Sequence, residues 1–356
     1  MGARSLLERR LRRWQQNWES WKQRRLEPLG APLRRRSNAR MLARIQRLER
    51  VEQLIWTDPA PSAEGVVLFC HYSPRGHLQS CVQRLLSDLH QRGWQVVVIS
   101  SGLNAAGLAW CRERRMAVLL RRNQGRDFGA FQDAWLALAQ RGALEGCQRL
   151  VLLNDSVYPV VNLEASSWPR FLEGHPEAVV GFTDSFQNGY HLQSYALHIP
   201  ASVLKEPWWH GFWSNYPGWG GTAAAIRDGE IGLSQLLLNK GVPLHPLHGV
   251  VALRSWLCSA ALADQLLEHC SAAAANLLLS QLLESSDRSI IHVSPSHQFA
   301  IPLLLQGFPF IKRDLLESNL CHCLDPLLLA GGPQGWVDAT ELVDFLRPPI
   351  IGYKKS

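Results

Sequence analysis

A mostly parallel α/β sheet flanked by helices is the fold this sequence predicts, and three observations carry it. Val66–His71 is a continuous apolar run without alternation, the pattern of a strand covered on both faces. From there strand-like and helix-like segments alternate four times, as successive βα units do. The glycine-bearing turn NQGRDFGAF (123–131) opens a helix, and about one crossover later the apolar run 150–153 ends in Asn154-Asp155-Ser156.

Taken in order, Leu7, Leu11, Trp14, Trp18 and Trp21 recur at helical spacing and predict an amphipathic helix over 5–26 with arginines on its other face. Trp beside Arg in that geometry suits an anionic membrane surface, and equally a helix packed on its own body or on a partner. Pro28, Gly30 and Pro32 predict a break, then a second helix from Arg34-Arg35-Arg36 to about Trp56. Residues 1–56 thus read as a basic helical arm, and Pro59 and Pro61 mark 57–65 as a linker. The body begins with the 66–71 strand. It continues with a helix over 78–92 ended by Gly93, a strand over 94–100, a helix over 108–115 and a strand over 117–120. A helix over 128–140 and a strand over 150–153 complete the alternation. Strands follow at 179–183 and 195–199, helix at 256–285, and a Pro/Gly-punctuated tail at 325–356.

The charge is uneven. The 356-residue chain carries a net +7, but residues 1–50 hold 15 Lys and Arg against 4 Asp and Glu, a surplus of +11 that leaves the rest at −4. A mildly acidic body argues against nucleic acid as the partner. No apolar signal core precedes the charges, which predicts a cytoplasmic chain with reduced thiols, peripheral to the inner face of the plasma membrane if the arm meets lipid. The eight cysteines show no CxxC; Cys321-His322-Cys323 is the tightest group and reads as buried thiols or, with outside partners, as a zinc site. The apolar stretch 251–283 is interrupted by Arg254, Asp264, Glu268 and His269 and reads as buried helices.

The candidate chemistry lies at strand ends. Asp155, with Asn154 beside it, follows four apolar residues and so stands where open α/β sheets bind ligands; it reads as a metal ligand or as a turn cap. Asn123, Gly125, Arg126 and Asp127 form a turn suited to a nucleotide or its phosphates, or simply to starting a helix. Asp184, His191, Gln193 and Ser194 crowd the segment 181–195 and could serve the hydroxyls of a sugar. The aromatic-rich WWHGFWSNYPGWGG (208–221), Trp213 within it, offers faces for sugar rings or fills a core. Glu230 competes with Asp184 as the carboxylate that accepts a proton from an acceptor hydroxyl. His297 reads as a late metal ligand or a structural histidine, and Lys312 with Arg313 as diphosphate partners or surface charges.

Six of these stretches, FCHYSPRG, NQGRDFGAF, LLNDSVYP, GFTDS, HLQSY and GFPFIKRDLL, occur in an order that resembles the rhamnan synthesis protein F family over about 65–318. That family is of glycosyltransferase-like proteins of bacterial surface polysaccharide assembly. The resemblance implies a GT-A-like, Rossmann-type domain over 66–324, with a nucleotide-binding half (66–160) and an acceptor half (161–324). It implies a nucleoside-diphosphate sugar donor, dTDP-L-rhamnose first, a glycan or lipid-linked glycan acceptor, and a divalent cation, Mg²⁺ or Mn²⁺. By the order of GT-A motifs, Asn154-Asp155-Ser156 stands at the metal motif, Gly218–Thr222 at the glycine-rich segment, Asp228–Glu230 at the base and His297 at the late histidine. One departure is plain: the metal motif keeps one carboxylate where the family pattern has two. Two function classes follow as expectations, a glycosyltransferase and a non-catalytic nucleotide- or glycan-binding subunit of an assembly complex.

Overall fold

The computed structural model describes residues 27–57, 65–257, 264–265, 268, 294–318 and 341. The chain divides into two compact units, 1–49 and 50–356. In the first, helix α1 (Glu27–Gln46) runs through the positions where the prolines predicted a break. Pro28, Gly30 and Pro32 all lie within its span. Arg44 and Arg47 both hydrogen-bond Glu49 after the helix. The amphipathic helix expected over 5–26, most of the linker, the tail apart from Glu341, and Cys258, Cys270, Cys321 and Cys323 lie outside the described residues.

The second unit is mixed α/β, with a large, mostly parallel central sheet flanked by helices. Its strands are β1 (Val51–Ile55), β2 (Gly65–His71), β3 (Trp94–Ser100), β4 (Ala117–Arg121), β5 (Arg149–Asn154), β6 (Val157–Pro159), β7 (Val179–Gly181), β8 (Asp184–Ser185), β9 (His191–Leu192), β10 (Ala196–Pro200), β11 (Leu244–Pro246) and β12 (Phe310–Lys312). Eight of them form one sheet in the order β1-β4-β3-β2-β5-β10-β7-β11, with β12-β6 and β8-β9 as separate pairs. β2, β3, β4 and β5 pair in parallel, and β11 is parallel to β7. Helices α2 (Ser80–Gln91), α3 (Ala105–Glu113) and α4 (Arg126–Gln140) make the crossovers, and α2 buries Cys81, Val82, Leu85, Leu86 and Leu89. The apolar runs of β2 and β3 are buried along nearly their whole length, which is what a strand covered on both faces requires.

Three joins are antiparallel. β10 enters between β5 and β7 against both, and β1 closes one edge against β4. β1 corrects the sequence expectation, which continued a helix to Trp56. Five residues of mixed pattern do not distinguish helix from strand, and the open edge of β4 supplies the backbone partners that decide it. Part of the aromatic-rich segment is helical: α5 spans Pro207–Asn215. Of the helix expected over 256–285, the described part is the end of a helix over Val250–Leu257 and three further helical positions.

Among the described residues no helix is long and apolar enough to cross a membrane. Cys81 and Cys111 are buried free thiols, with burial pushing both up to about 12.

Candidate active site

Strand order reverses between β2 and β5: the chain moves outward from β2 through β3 to β4, then crosses back to β5 on the other side of β2. Such a switch point leaves a crevice outside the carboxyl ends of the two strands, because their crossovers leave on opposite faces. Here the ends are tied together. The Asp155 N–H donates to Cys70 O at 3.1 Å, and the Tyr72 N–H donates to Asp155 Oδ2 at 2.6 Å. The antiparallel pairing of β10 with β5 starts at Ala196 opposite Leu153, so Gln193, Ser194 and Tyr195 come to the same edge. β7 runs parallel to β5 across β10 and carries Thr183 and Asp184 there as well.

One chain of hydrogen bonds runs along the carboxyl ends of these strands. Asn154 Nδ2 donates to Asp127 Oδ2 at 2.9 Å; Ser156 Oγ donates to Asn154 Oδ1 at 2.6 Å; Lys312 Nζ donates to Ser156 Oγ at 3.3 Å. The Lys312 ammonium also lies 4.4 Å from the centre of the Tyr195 ring, a cation–π contact. Burial pushes the Lys312 pKa down, opposed by the nearby carboxylates of Glu230, Asp314 and Asp127. Burial lifts the pKa of Asp127 above the ordinary carboxylate range, against the hydrogen bonds from Phe128 N–H and Asn154.

A second group lies beside it. Glu230 Oε2 accepts from Ser194 N–H at 2.7 Å and Ser194 Oγ at 2.6 Å, and Glu230 Oε1 faces His191 Nε2 at 3.4 Å. Burial opposes charge on both partners, yet the mutual bond, the Ser194 donors and the Gly189 carbonyl on His191 Nδ1 outweigh it. Glu230 is held below its usual range and His191 above its own. Glu230 sits in a π-helical segment, Ala225–Ile231, a local geometry frequent at functional sites. Asp184 Oδ1 accepts the Val250 N–H at 2.6 Å, and burial lifts its pKa. Thr183 Oγ1 joins Gln193 Oε1 and the Tyr195 hydroxyl, each at 2.7 Å, and Gln193 Nε2 donates to Ser294 Oγ at 2.9 Å.

The other residues of the 123–127 turn lead directly into Asp127. Asn123 is exposed, and so is Arg126, which holds a left-handed backbone (φ 57°) directly after Gly125 (φ 77°). Gly125 is required twice over, by that φ and because a Cβ there would stand 2.0 Å from Gly218 O. Trp213 is fully buried. Its ring stacks on Phe128 at 6.2 Å and meets Trp209 edge-on at 5.6 Å, leaving no face for a sugar. The structure therefore moves Trp213 from the substrate to the core.

The divalent cation implied by the resemblance can be tested against the donor set. Asp155 Oδ2 is bonded to the Tyr72 amide and faces Arg313 Nη1 at 3.7 Å. His297 Nδ1 lies 2.8 Å from Ser294 Oγ and its Nε2 3.0 Å from Asp314 Oδ2, so both ring nitrogens are engaged. Among the described residues no three His, Cys, Asp or Glu side chains come together as an all-protein metal cage would need. Asp155 and His297 do not fit a shared cation.

Sequence reasoning missed the support of the Gly125 turn. Asp133, fully buried in α4, holds two buried arginines, with Arg50 Nε at 2.9 Å from its Oδ1 and Arg121 Nε at 2.7 Å from its Oδ2. Arg50 also donates to Gly218 O and Gln132 Oε1, Arg121 to Gln124 O, and Gln132 Nε2 to the carbonyls of Trp213 and Tyr216. The one signal in the sequence was charge placed inside otherwise apolar segments.

No family model matches the chain. It is 28% identical over 182 residues to the uncharacterized protein y4gN of Sinorhizobium fredii, covering 49% of this chain and 46% of that protein. It is 26% identical over 203 residues to the virulence protein VirA of Vibrio anguillarum, covering 56% and 62% respectively. The chain thus matches less than two thirds of the length of either relative. Neither relative's name states a reaction.

Proposed function

We propose that the protein is a glycosyltransferase of GT-A-like architecture. It moves a sugar, L-rhamnose being the first to test, from a nucleoside diphosphate to a cell-surface polysaccharide or a lipid-linked glycan. The reading rests on one observation above the rest: at the switch-point crevice, the chain Asp127–Asn154–Ser156–Lys312 lies beside the Glu230–His191 pair and Asp184. A diphosphate calls for cations and donors, a sugar ring for donors and acceptors together, and both kinds are present. The ordered motifs that resemble the rhamnan synthesis protein F family support the same reading. On it, the basic arm brings the enzyme to an anionic membrane face on the cytoplasmic side.

In the reaction, an acceptor hydroxyl oxygen bonds to the anomeric carbon of the donor. The bond from that carbon to the diphosphate oxygen breaks, and the nucleoside diphosphate leaves with the electron pair. The hydroxyl proton passes to a carboxylate. Asp184 suits this better than Glu230, because burial raises its pKa toward the working range while Glu230 is held low by His191 and Ser194. Glu230 then orients Ser194 and His191 toward the sugar.

The test is release of nucleoside diphosphate from a panel of donors in the presence of polysaccharide or lipid-linked acceptor. Asp184→Asn lowers kcat by about 100-fold or more while the protein stays folded. The acid limb of the wild-type kcat/KM profile lies above the ordinary carboxylate range, because a base with a raised pKa is protonated, and lost, at higher pH. An unchanged kcat in Asp184→Asn removes Asp184 as the base. The second reading, a non-catalytic subunit, is favoured by the closed Glu230–Ser194 bonds and gives donor binding with no release.

A further inference from the structure

We propose that the donor diphosphate is held without a metal ion, by the Lys312 ammonium and the Arg313 guanidinium, with Asp155 as a positioning residue for Arg313. This rests on the reading above and assigns the diphosphate contact of the same site.

The argument begins with the backbone. β12 pairs antiparallel with β6, setting Lys312 opposite Val157, and the Arg313 N–H donates to Ser156 O at 2.9 Å. Two consecutive cationic residues are thereby locked in register against the Asn154-Asp155-Ser156 turn at the switch point. Their side chains take different routes. Lys312 turns to Ser156 Oγ and the Tyr195 face, while Arg313 reaches Gln79 Oε1 and faces Asp155. Arg313 Nε also lies 3.8 Å from Glu317 Oε1, so the guanidinium is braced on several sides, and its planar five-donor fork is the geometry that suits phosphate oxygens.

Asp155 has the opposite character from a metal ligand. A carboxylate that holds a cation on a diphosphate must aim free lone pairs at the cation, alone or with a second carboxylate beside the phosphates. The Asp155 oxygen is bonded to the Tyr72 amide and neutralised by Arg313, and no third acidic or imidazole donor joins it among the described residues. Without Arg313 that charge would repel a diphosphate; with Arg313 it fixes the cation that attracts one. Burial pushes the Lys312 pKa down, and the carboxylates around it, Glu230, Asp314 and Asp127, oppose that shift.

The experiment is titration calorimetry of the full chain with dTDP and with UDP, first in EDTA and then in excess Mn²⁺. Wild type, Lys312→Ala, Lys312→Arg, Arg313→Ala and Asp155→Asn are compared, with thermal unfolding run on each to establish that it is folded. One nucleotide binds in EDTA, and Mn²⁺ changes its affinity by less than about threefold. Lys312→Ala and Arg313→Ala each weaken binding by about tenfold or more, the scale of a lost charge-assisted hydrogen bond. Lys312→Arg restores most of the loss, and Asp155→Asn costs less than Arg313→Ala. Binding that appears only with Mn²⁺ and vanishes in Asp155→Asn overturns the inference and leaves the transferase reading standing. Metal-free binding without sugar release from any donor does the reverse. A folded protein that binds neither nucleotide in either buffer overturns both.

Discussion

Asp133→Ala lowers the stability of the protein by about 3–5 kcal/mol, the scale of removing one partner from a buried ion pair. Asp133 is fully buried and is the counter-charge for both Arg50 and Arg121, which are themselves 5% and 3% exposed. Taking the carboxylate away leaves two guanidinium groups out of water with only neutral partners. Arg50 retains the carbonyl of Gly218 and the side chain of Gln132, and Arg121 retains the carbonyl of Gln124. These bonds hold the arginines in place but do not cancel their charge. Chemical denaturation reads the loss as a lower midpoint at unchanged slope. Replacing all three residues together by apolar residues of similar volume recovers much of it, since the penalty belongs to the unpaired charges and not to the absence of the ions. A loss below about 1 kcal/mol in Asp133→Ala would put the triad on the level of a surface pair. Because Arg121 holds Gln124 and Arg50 holds Gly218 against the Gly125 turn, donor affinity falls with stability.

Trp213→Ala costs about 3–5 kcal/mol of stability, as large aromatic truncations in cores do. Its ring is enclosed by Phe128, Trp209 and Phe212, with centroids at 6.2, 5.6 and 4.9 Å. The consequence reaches the site through Phe128. The π-helical segment carrying Glu230 rests on that ring so closely that a Cβ on Gly229 would stand 2.5 Å from it. Emptying the space behind Phe128 loosens the seat of Glu230. The sugar-stacking alternative makes the opposite prediction, an unchanged melting curve with lost sugar affinity. Denaturation and donor titration on the same variant separate the two.

What could be read from the sequence divides along the range of the interactions involved. β2, β3, β4 and β5 announce themselves because a strand covered on both faces is apolar at every position, and the helices between them carry their own period. Asp155 and Asp184 were visible as polar residues closing apolar runs, and both come to the same sheet edge. β1 was not visible, since its strand state is conferred by the edge of β4, which lies 63 residues on at the Ile55–Val118 pair and 70 at the Val51–Arg121 pair. The aromatic segment 208–221 misled because its composition suits an exposed platform and a buried helix equally; only packing on α4 decides. The sequence leaves Lys312 and Arg313 open between diphosphate partners and surface charges, and only the pairing of β12 with β6 sets them beside Ser156. Arg50 drew no attention, because it closed a basic arm in sequence, whereas in space it pairs with Asp133.

The most direct test of the central claim is calorimetric titration of the wild-type protein with a panel of nucleoside-diphosphate sugars, dTDP-L-rhamnose among them. The account predicts that one donor binds at a single site, more tightly than its free sugar, and that Lys312→Ala weakens it. A folded protein that binds no donor better than about millimolar would contradict the account.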